Sequence, residues 1–470
     1  MEMKILEYLT LLIGLYMAWN IGANDVGNGI STSVGSKALT LRKAVVIAVV
    51  FEFCGAFFLG GDVSQTIQSG IINPNVFNSD IKFFIFGMLS ALCATGIWLN
   101  IASYLKLPVS TTHAIVGSVL GFGAVIGGIK AVYWTTVSWI ALSWLVTPIV
   151  SGIIAYLIFK LIQQKIFFSL SPLEASKKII PILVFLFITI SSLSIIYGKI
   201  TQIKTQFAFP KALLFSFIFG CLGCIIAFFL IRKIKITSCK IIEHHPLQLV
   251  ELEKTQKHLE RICLSSKGKT KIKTSSILSE VNKLIDEFRE KTKFTEQCSE
   301  YSLIEKIFGY LQIITVAFMS LAHGSNDVSN AIGPVAAVLE TIAKQKTNFS
   351  PDIPYWILLI GAVGIVFGIV TWGWRIIETI GRNITSLTPS RGFSAEFGAT
   401  TTILIASELG MPISTTHALV GAVLGVGIAK GLSALNLKTL KDIVLSWIIT
   451  IPVCTILSLI IFYIFKSIFH

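Results

Sequence analysis

Three observations predict an all-α polytopic membrane protein, with about 12 transmembrane segments in two inverted-topology repeats and with broken or re-entrant helices. First, the 470-residue chain is 53% hydrophobic and 14% charged, where a soluble domain carries about 25% charged residues. Second, its apolar residues gather in runs long enough to cross a bilayer. Third, two different polar motifs each occur twice, in the same order, at offsets of 302 and 304 residues. Chance does not produce that agreement, so the chain contains an internal duplication.

The elements follow in chain order. The first apolar run, about 5–35, lacks the short form and small-residue cleavage site of a removable leader, and is read as a retained helix. It is expected to be interrupted at NIGANDVGNGISTS, Asn20–Ser33, where glycines permit a break. Crossings at about 43–60, 82–104, 111–129 and 133–159 complete an N-terminal repeat, 1–160. Two linking segments, 179–197 and 211–231, fill 161–231. A polar stretch, 232–304, carries two amphipathic patterns separated by SSKGKTKIKTSS and reads as a charged helical hairpin. The C-terminal repeat, 305–470, holds an interrupted run at 305–340 around AHGSNDVSNAIGPV, then runs at 355–375, 393–409, 412–429 and 440–466. Five segments per half plus two linking ones put an odd number of crossings between equivalent points. The halves then face opposite ways, an architecture shared by many secondary transporters.

The net charge of +14 could suit nucleic acid, but its placement argues for orientation instead. Most Lys and Arg fall on the side of the 232–304 stretch, which puts that stretch in the cytoplasm and both termini outside. The eight cysteines are scattered and suggest neither a disulfide framework nor a metal centre. Cys221 and Cys224 form C-x-x-C inside an apolar run and read as small helix residues. His244 and His245 read as surface residues, and Glu378 with Arg382 as an ion pair one helical turn apart. No nucleotide-binding loop or Ser-His-Asp array appears, so the chain is not expected to be an enzyme and needs no cofactor beyond a coupling ion.

Chemistry concentrates in the repeated motifs. PVSTTHAIVGSVLGFG (Pro108–Gly123) and PISTTHALVGAVLGVG (Pro412–Gly427) share twelve of sixteen residues. Each places Ser and Thr at the start of an apolar helix: Ser110, Thr111 and Thr112, and Ser414, Thr415 and Thr416. Unpaired backbone N–H groups and hydroxyls there point the same way, which makes a site for an oxyanion with no need of arginine. The N-D-V motifs supply Asn24, Asp25 and Asn28, then Asn326, Asp327 and Asn330. Their oxygens are hard ligands suited to Na+ or to a proton, and a carboxylate inside a membrane is functional by default. Glu52 and Glu396 also lie in apolar runs and are expected to face the bundle interior. His113, His323 and His417 adjoin the motifs and are expected to support them from behind. Four acids with no nearby Lys or Arg would repel an anion unless cations or protons neutralise them. Anion affinity should therefore depend on bound cation.

At these residues the chain resembles the inorganic phosphate transporter family, the PiT permeases and their eukaryotic sodium–phosphate relatives. The matching stretches are GANDVGN, HGSNDVSN, PVSTTH, PISTTH, FEFCGAF around Glu52, and ETIGRNITSLTPSRGFSAEFGATTTILIAS leading to the second S-T-T motif. Gly27, Gly29 and Ser329 stand where alanine is usual in the family. The resemblance implies cation-driven import of phosphate across a plasma or bacterial inner membrane, twelve segments in inverted repeats, and a homodimer. It also implies that phosphate meets Asp25, Asn28, Asp327, Asn330 and the two S-T-T triplets. The coupling cation, Na+ or H+, would meet Asn24, Asp25, Asn326, Asp327, Glu52 and Glu396. Other readings are a permease for sulfate or another tetrahedral oxyanion, an anion channel, and a nutrient sensor.

Overall fold

The computed structural model describes every residue except 1, 106, 108, 203–207, 234–245, 267, 294–299, 351, 374–386, 432–436 and 470. His244, His245, Glu378 and Arg382 lie outside the described residues, and so does the side chain of Asn28. The described residues form α-helices and short turns, with no β-strand beyond one isolated bridge, Ile72 to Val132.

The first half contains α1 (Glu2–Gly35), α2 (Leu41–Leu59), α3 (Gly61–Ser69), α4 (Ile81–Tyr104), α5 (Thr111–Ile126) and α6 (Trp134–Ile162). Two helices link the halves, α7 (Pro172–Gln202) and α8 (Ala208–Arg232), and a polar hairpin follows, α9 (Pro246–Ser265) and α10 (Lys269–Lys293). The second half contains α11 (Glu300–Asp327), α12 (Ser329–Lys344), α13 (Tyr355–Thr371), α14 (Pro389–Glu408), α15 (Thr415–Lys430) and α16 (Leu437–Phe469). Local signals set several ends. The Asp80 carboxylate accepts from Lys82 N at 3.0 Å and starts α4. Pro389 occupies the first turn of α14, where its missing N–H costs nothing.

Among the described residues, seven helices have the length and apolar composition to cross a bilayer, or eight if the bent pair α2–α3 forms one span. That pair bends by 61° at Gly60. The helices α5 and α15, expected as crossings, have 16 residues each. At 1.5 Å per residue each is about 24 Å long, less than the ~30 Å hydrocarbon core. A helix of that length that ends at the surface begins inside the layer.

The first N-D-V segment differs from expectation. α1 runs unbroken from Glu2 to Gly35 through Asn24 and Asp25. In the second half only Val328 separates α11 from α12, and it keeps helical angles (φ −56, ψ −31). Its N–H donates to the Gly324 carbonyl at 3.3 Å and its carbonyl accepts from Ile332 N at 2.9 Å, so helical bonding continues through Val328. Gly22 serves a different end: a Cβ there would run into the Ile365 carbonyl of α13. The equivalent Gly324 lies in the same way against the Glu52 carbonyl of α2. The glycines let two helix pairs cross in backbone contact.

The packing is reciprocal throughout. α1 packs on α4 and α13, and α11 packs on α14 and α2. α5 packs on α4 and on α16 from the other half, while α15 packs on α14 and on α6 from the first. Each half thus lends its last helix to the S-T-T helix of its partner half. The repeats are interleaved, and buried apolar residues from both halves meet in the same core cluster, with Ile13, Leu92, Val338 and Ile365 among them.

Candidate functional site

The two S-T-T segments meet at their tips. Ser110 Oγ accepts from His113 N at 3.3 Å, and Ser414 Oγ accepts from His417 N at 3.2 Å, so each serine caps its own helix. The Thr112 hydroxyl donates across the halves to the Ile413 carbonyl at 2.8 Å, and Thr416 Oγ1 donates to the Val109 carbonyl at 3.4 Å. These two threonines tie one tip to the other. Behind them the His113 and His417 rings meet edge to face at 4.6 Å between centroids. Each ring lies on a tryptophan, Trp144 at 3.9 Å and Trp447 at 3.5 Å.

Thr111 and Thr415 point the other way, toward the N-D-V motifs. Thr415 Oγ1 donates to Asp327 Oδ2 at 2.9 Å. Asn330 Nδ2 donates to Thr111 Oγ1 at 3.3 Å and reaches Thr112 Oγ1 at 3.4 Å. Asn24 Nδ2 donates to Asp25 Oδ1 at 3.0 Å, while Ser103 Oγ donates to Asn24 Oδ1 at 3.2 Å. The repeat-related Asn326 donates to Ser407 Oγ at 3.1 Å and to the Met411 carbonyl at 3.3 Å. The structure therefore brings the predicted Asp327 and Asn330 to the threonines of the S-T-T tips and Asp25 close to Asp327, while Asn24 and Asn326 are held by Ser103, Ser407 and the Met411 carbonyl. The Oδ1 atoms of Asn326, Asp327 and Asn330 are buried, and none has a hydrogen-bond partner. Carboxylate and carboxamide oxygens left over in this way suit a hard cation.

His323, expected only as support, lies inside this cluster. Its Nε2 is 2.8 Å from Asp327 Oδ2 and its Nδ1 is 3.2 Å from Glu52 Oε2, all three side chains being fully buried. One ligand atom each from Asp25, His323 and Asp327 lies within 4.8 Å of the others. Since both ring nitrogens face carboxylates, either a second proton on the imidazole or a proton on one of the acids is needed to make both contacts attractive. No lysine or arginine is buried among the described residues. Among the described residues His323 is thus the one basic side chain in contact with these acids, and its i,i+4 spacing from Asp327 was the signal in the sequence that could have found it.

Glu396 sits apart, in a pocket of its own. Thr32 Oγ1 donates to its Oε1 at 2.5 Å and Gln312 Nε2 to the same oxygen at 3.0 Å. Thr315 Oγ1 donates to Oε2, and Ser36 Oγ donates to Gln312 Oε1 at 2.7 Å. Glu396 is therefore not part of the Asp25–Asp327 cluster, although both predicted acids are buried.

The two acids break the two-fold likeness of the repeats. At the motif offsets, Glu396, Gln312, Thr315, Thr32 and Ser36 correspond to Leu92, Thr10, Ile13, Pro334 and Val338. The glycine crossings equate Glu52 with Ile365, and His323 corresponds to Ile21. Every one of these counterparts is buried, and all but Thr10 are apolar. Both acids pack on α11 at positions whose counterparts on α1 face Leu92 and Ile365; α1 reaches Glu396 instead through Thr32, near its C-terminal end, so the two motif helices have unequal polar surroundings.

The phosphate transporter family matches this chain over residues 21–458. A protein of Chlamydia pneumoniae that carries the name phosphate permease is 42% identical over 464 residues, 98% of each chain. Inorganic phosphate transporter 2-1, chloroplastic, of Arabidopsis thaliana is 42% identical over 471 residues, the whole of this chain and 73% of that one. Among solved structures, one described as the sodium-dependent phosphate transporter superposes with a TM-score of 0.79 at 34% identity, covering 99% of this chain and 100% of that one.

Proposed function

The chain belongs to the phosphate transporter family, and from that premise we propose that it is a secondary active transporter importing inorganic phosphate together with Na+. The observation that carries the coupling is the set of buried, unpartnered oxygens on Asn326, Asp327 and Asn330, one side-chain contact away from the S-T-T tips. A tetrahedral oxyanion held at the starts of α5 and α15 meets helix N-termini and the hydroxyls of Thr111 and Thr415. The carboxylates of Asp25 and Asp327 would repel it by several kcal/mol in a low-dielectric site. Na+ on the leftover oxygens removes that repulsion, so each ligand raises the affinity for the other. A protonated phosphate oxygen can also donate to Asp25 or Asp327, which sulfate cannot do.

The relation to a sodium-dependent transporter at 34% identity supports Na+. A second reading, H+ coupling, rests on the His323 contacts to Glu52 and Asp327. Counterflow of labelled phosphate in proteoliposomes, with Na+ and pH gradients varied separately, separates the two. Uptake should follow the Na+ gradient and fall at least tenfold without it. Uptake undiminished with both gradients collapsed, at channel-like rates, would overturn transport by coupling.

The same reading assigns the serines to anion binding. Ser110→Ala and Ser414→Ala each remove a cap hydroxyl, a loss of about 1–2 kcal/mol, or roughly five- to thirtyfold in phosphate affinity. The half-saturation for phosphate should rise by that factor while the number of Na+ carried per phosphate stays unchanged; a changed stoichiometry would place the serines elsewhere in the cycle. For orientation, the excess of Lys and Arg around the 232–304 stretch supports a cytoplasmic hairpin with both termini outside. A cysteine at Ser275 should be labelled from the cytoplasmic face only, and one at Asn73 from the outer face only. Labelling of both from one face would refute that topology.

A further inference from the structure

The α9–α10 hairpin has no place in the transport cycle described above, yet its turn has a marked character. From residue 261 to residue 279 the chain reads RICLSSKGKTKIKTSSILS, with basic residues and no acid. The nearest acids are Glu260 and Glu280. Lys269, Lys271 and Lys273 are exposed at the start of α10, and none forms an ion pair among the described residues. Two large apolar side chains stand beside them, Ile272 at 70% exposure and Ile277 at 50%. α10 buries a different face, with Thr274 and Ile285 turned inward where α9 packs along it.

We propose that this end of the hairpin docks on the anionic headgroups of the membrane in which the chain is embedded. Lysines supply the attraction, and Ile272, between Lys271 and Lys273, enters the headgroup layer. Charge complementarity selects the occupant: a cationic tip with projecting apolar side chains fits a negatively charged leaflet, to which several lysines add their effects. The chain also lets the tip reach that surface. Six residues join Lys293 to Glu300, and an extended connector of that length spans at most about 20 Å. Since α10 has 25 residues, about 37 Å, a hairpin lying along the surface brings its tip to the headgroups. A soluble acidic partner or a second copy of the chain is the alternative that the experiment distinguishes.

The test uses the full chain in nanodiscs of phosphatidylcholine, with and without about a third phosphatidylglycerol, and reads amide hydrogen exchange over 261–279. In the anionic discs exchange should slow at least fivefold. The protection should vanish in 0.5 M NaCl and in the K269Q/K271Q/K273Q variant. Phosphate uptake by that variant in phosphatidylcholine should match the wild type, which shows that it folds. Equal exchange in both lipids overturns the proposal. So does equal protection in both, since the tip would then be covered by protein. Protection by millimolar inorganic phosphate in phosphatidylcholine discs would make the tip a soluble-anion site and overturn it as well.

Discussion

Replacing Asp327 with Asn should reduce phosphate uptake by at least a hundredfold, and Asp25→Asn should reduce it severely but by a different factor. Asn keeps the size of Asp and removes its charge, so the loss measures charge rather than shape. Asp327 is the more exacting position. Its Oδ2 accepts from Thr415 at 2.9 Å and faces His323 Nε2 at 2.8 Å, and its Oδ1 is buried without a partner. Removing one member of a buried charge group costs about 3–5 kcal/mol, because the remaining partner stays buried and uncompensated. That range alone corresponds to a factor of a hundred or more. Asp25 lies beside Asn24 and within the same cluster, but its repeat-related neighbour is Ile21 where Asp327 has His323. Uptake measured against phosphate and against Na+, at matched membrane expression, checks both variants. Wild-type Na+ dependence in both would show that the N-D-V motifs are structural.

Gly324→Val should prevent stable folding, and Gly324→Ala should lower stability by about 3 kcal/mol. A Cβ at Gly324 meets the backbone of Glu52, not a movable side chain, so α2 and α11 must separate. The separation also moves the Glu52 carboxylate away from His323. Thermal unfolding in detergent, followed by size-exclusion chromatography, gives the stability, and uptake by the surviving Gly324→Ala protein gives the effect on the site. Gly22→Ala supplies the comparison. It opens the equivalent crossing against Ile365, where no charged pair is disturbed, so it should cost similar stability with less effect on uptake. Equal uptake losses would mean that the Glu52–His323 contact contributes nothing beyond packing.

Much of this molecule is legible in its sequence because duplicated chemistry is hard to hide. Two S-T-T motifs and two N-D-V motifs at nearly one spacing disclosed the repeat, and buried Asp25, Asp327, Glu52 and Glu396 were recognisable as acids in apolar runs. The helix caps at Ser110 and Ser414 followed from residue type alone. What stayed hidden depended on long-range packing. Gly22 looks like a helix breaker in sequence, but its missing side chain is used to admit a neighbouring backbone, so α1 stays continuous. The division of labour between Thr111 and Thr112 cannot be read from two adjacent identical residues; it emerges only when the second tip arrives to accept the Thr112 proton. His323 belongs to the same class, since its partner Glu52 lies 271 positions away in the chain.

The exchange of apolar for polar neighbours around the two motif helices has a kinetic consequence. Two identical halves in opposite orientation would make a carrier that behaves the same from either face. It would have one half-saturation constant and one order of ion release. Here α11 meets Glu52 and Glu396 where α1 meets Ile365 and Leu92, so that symmetry is absent. The accumulation ratio at rest is set by the gradients and cannot depend on such details. The approach to it can, and the duplicated chain has diverged at positions able to make forward and reverse rates unequal.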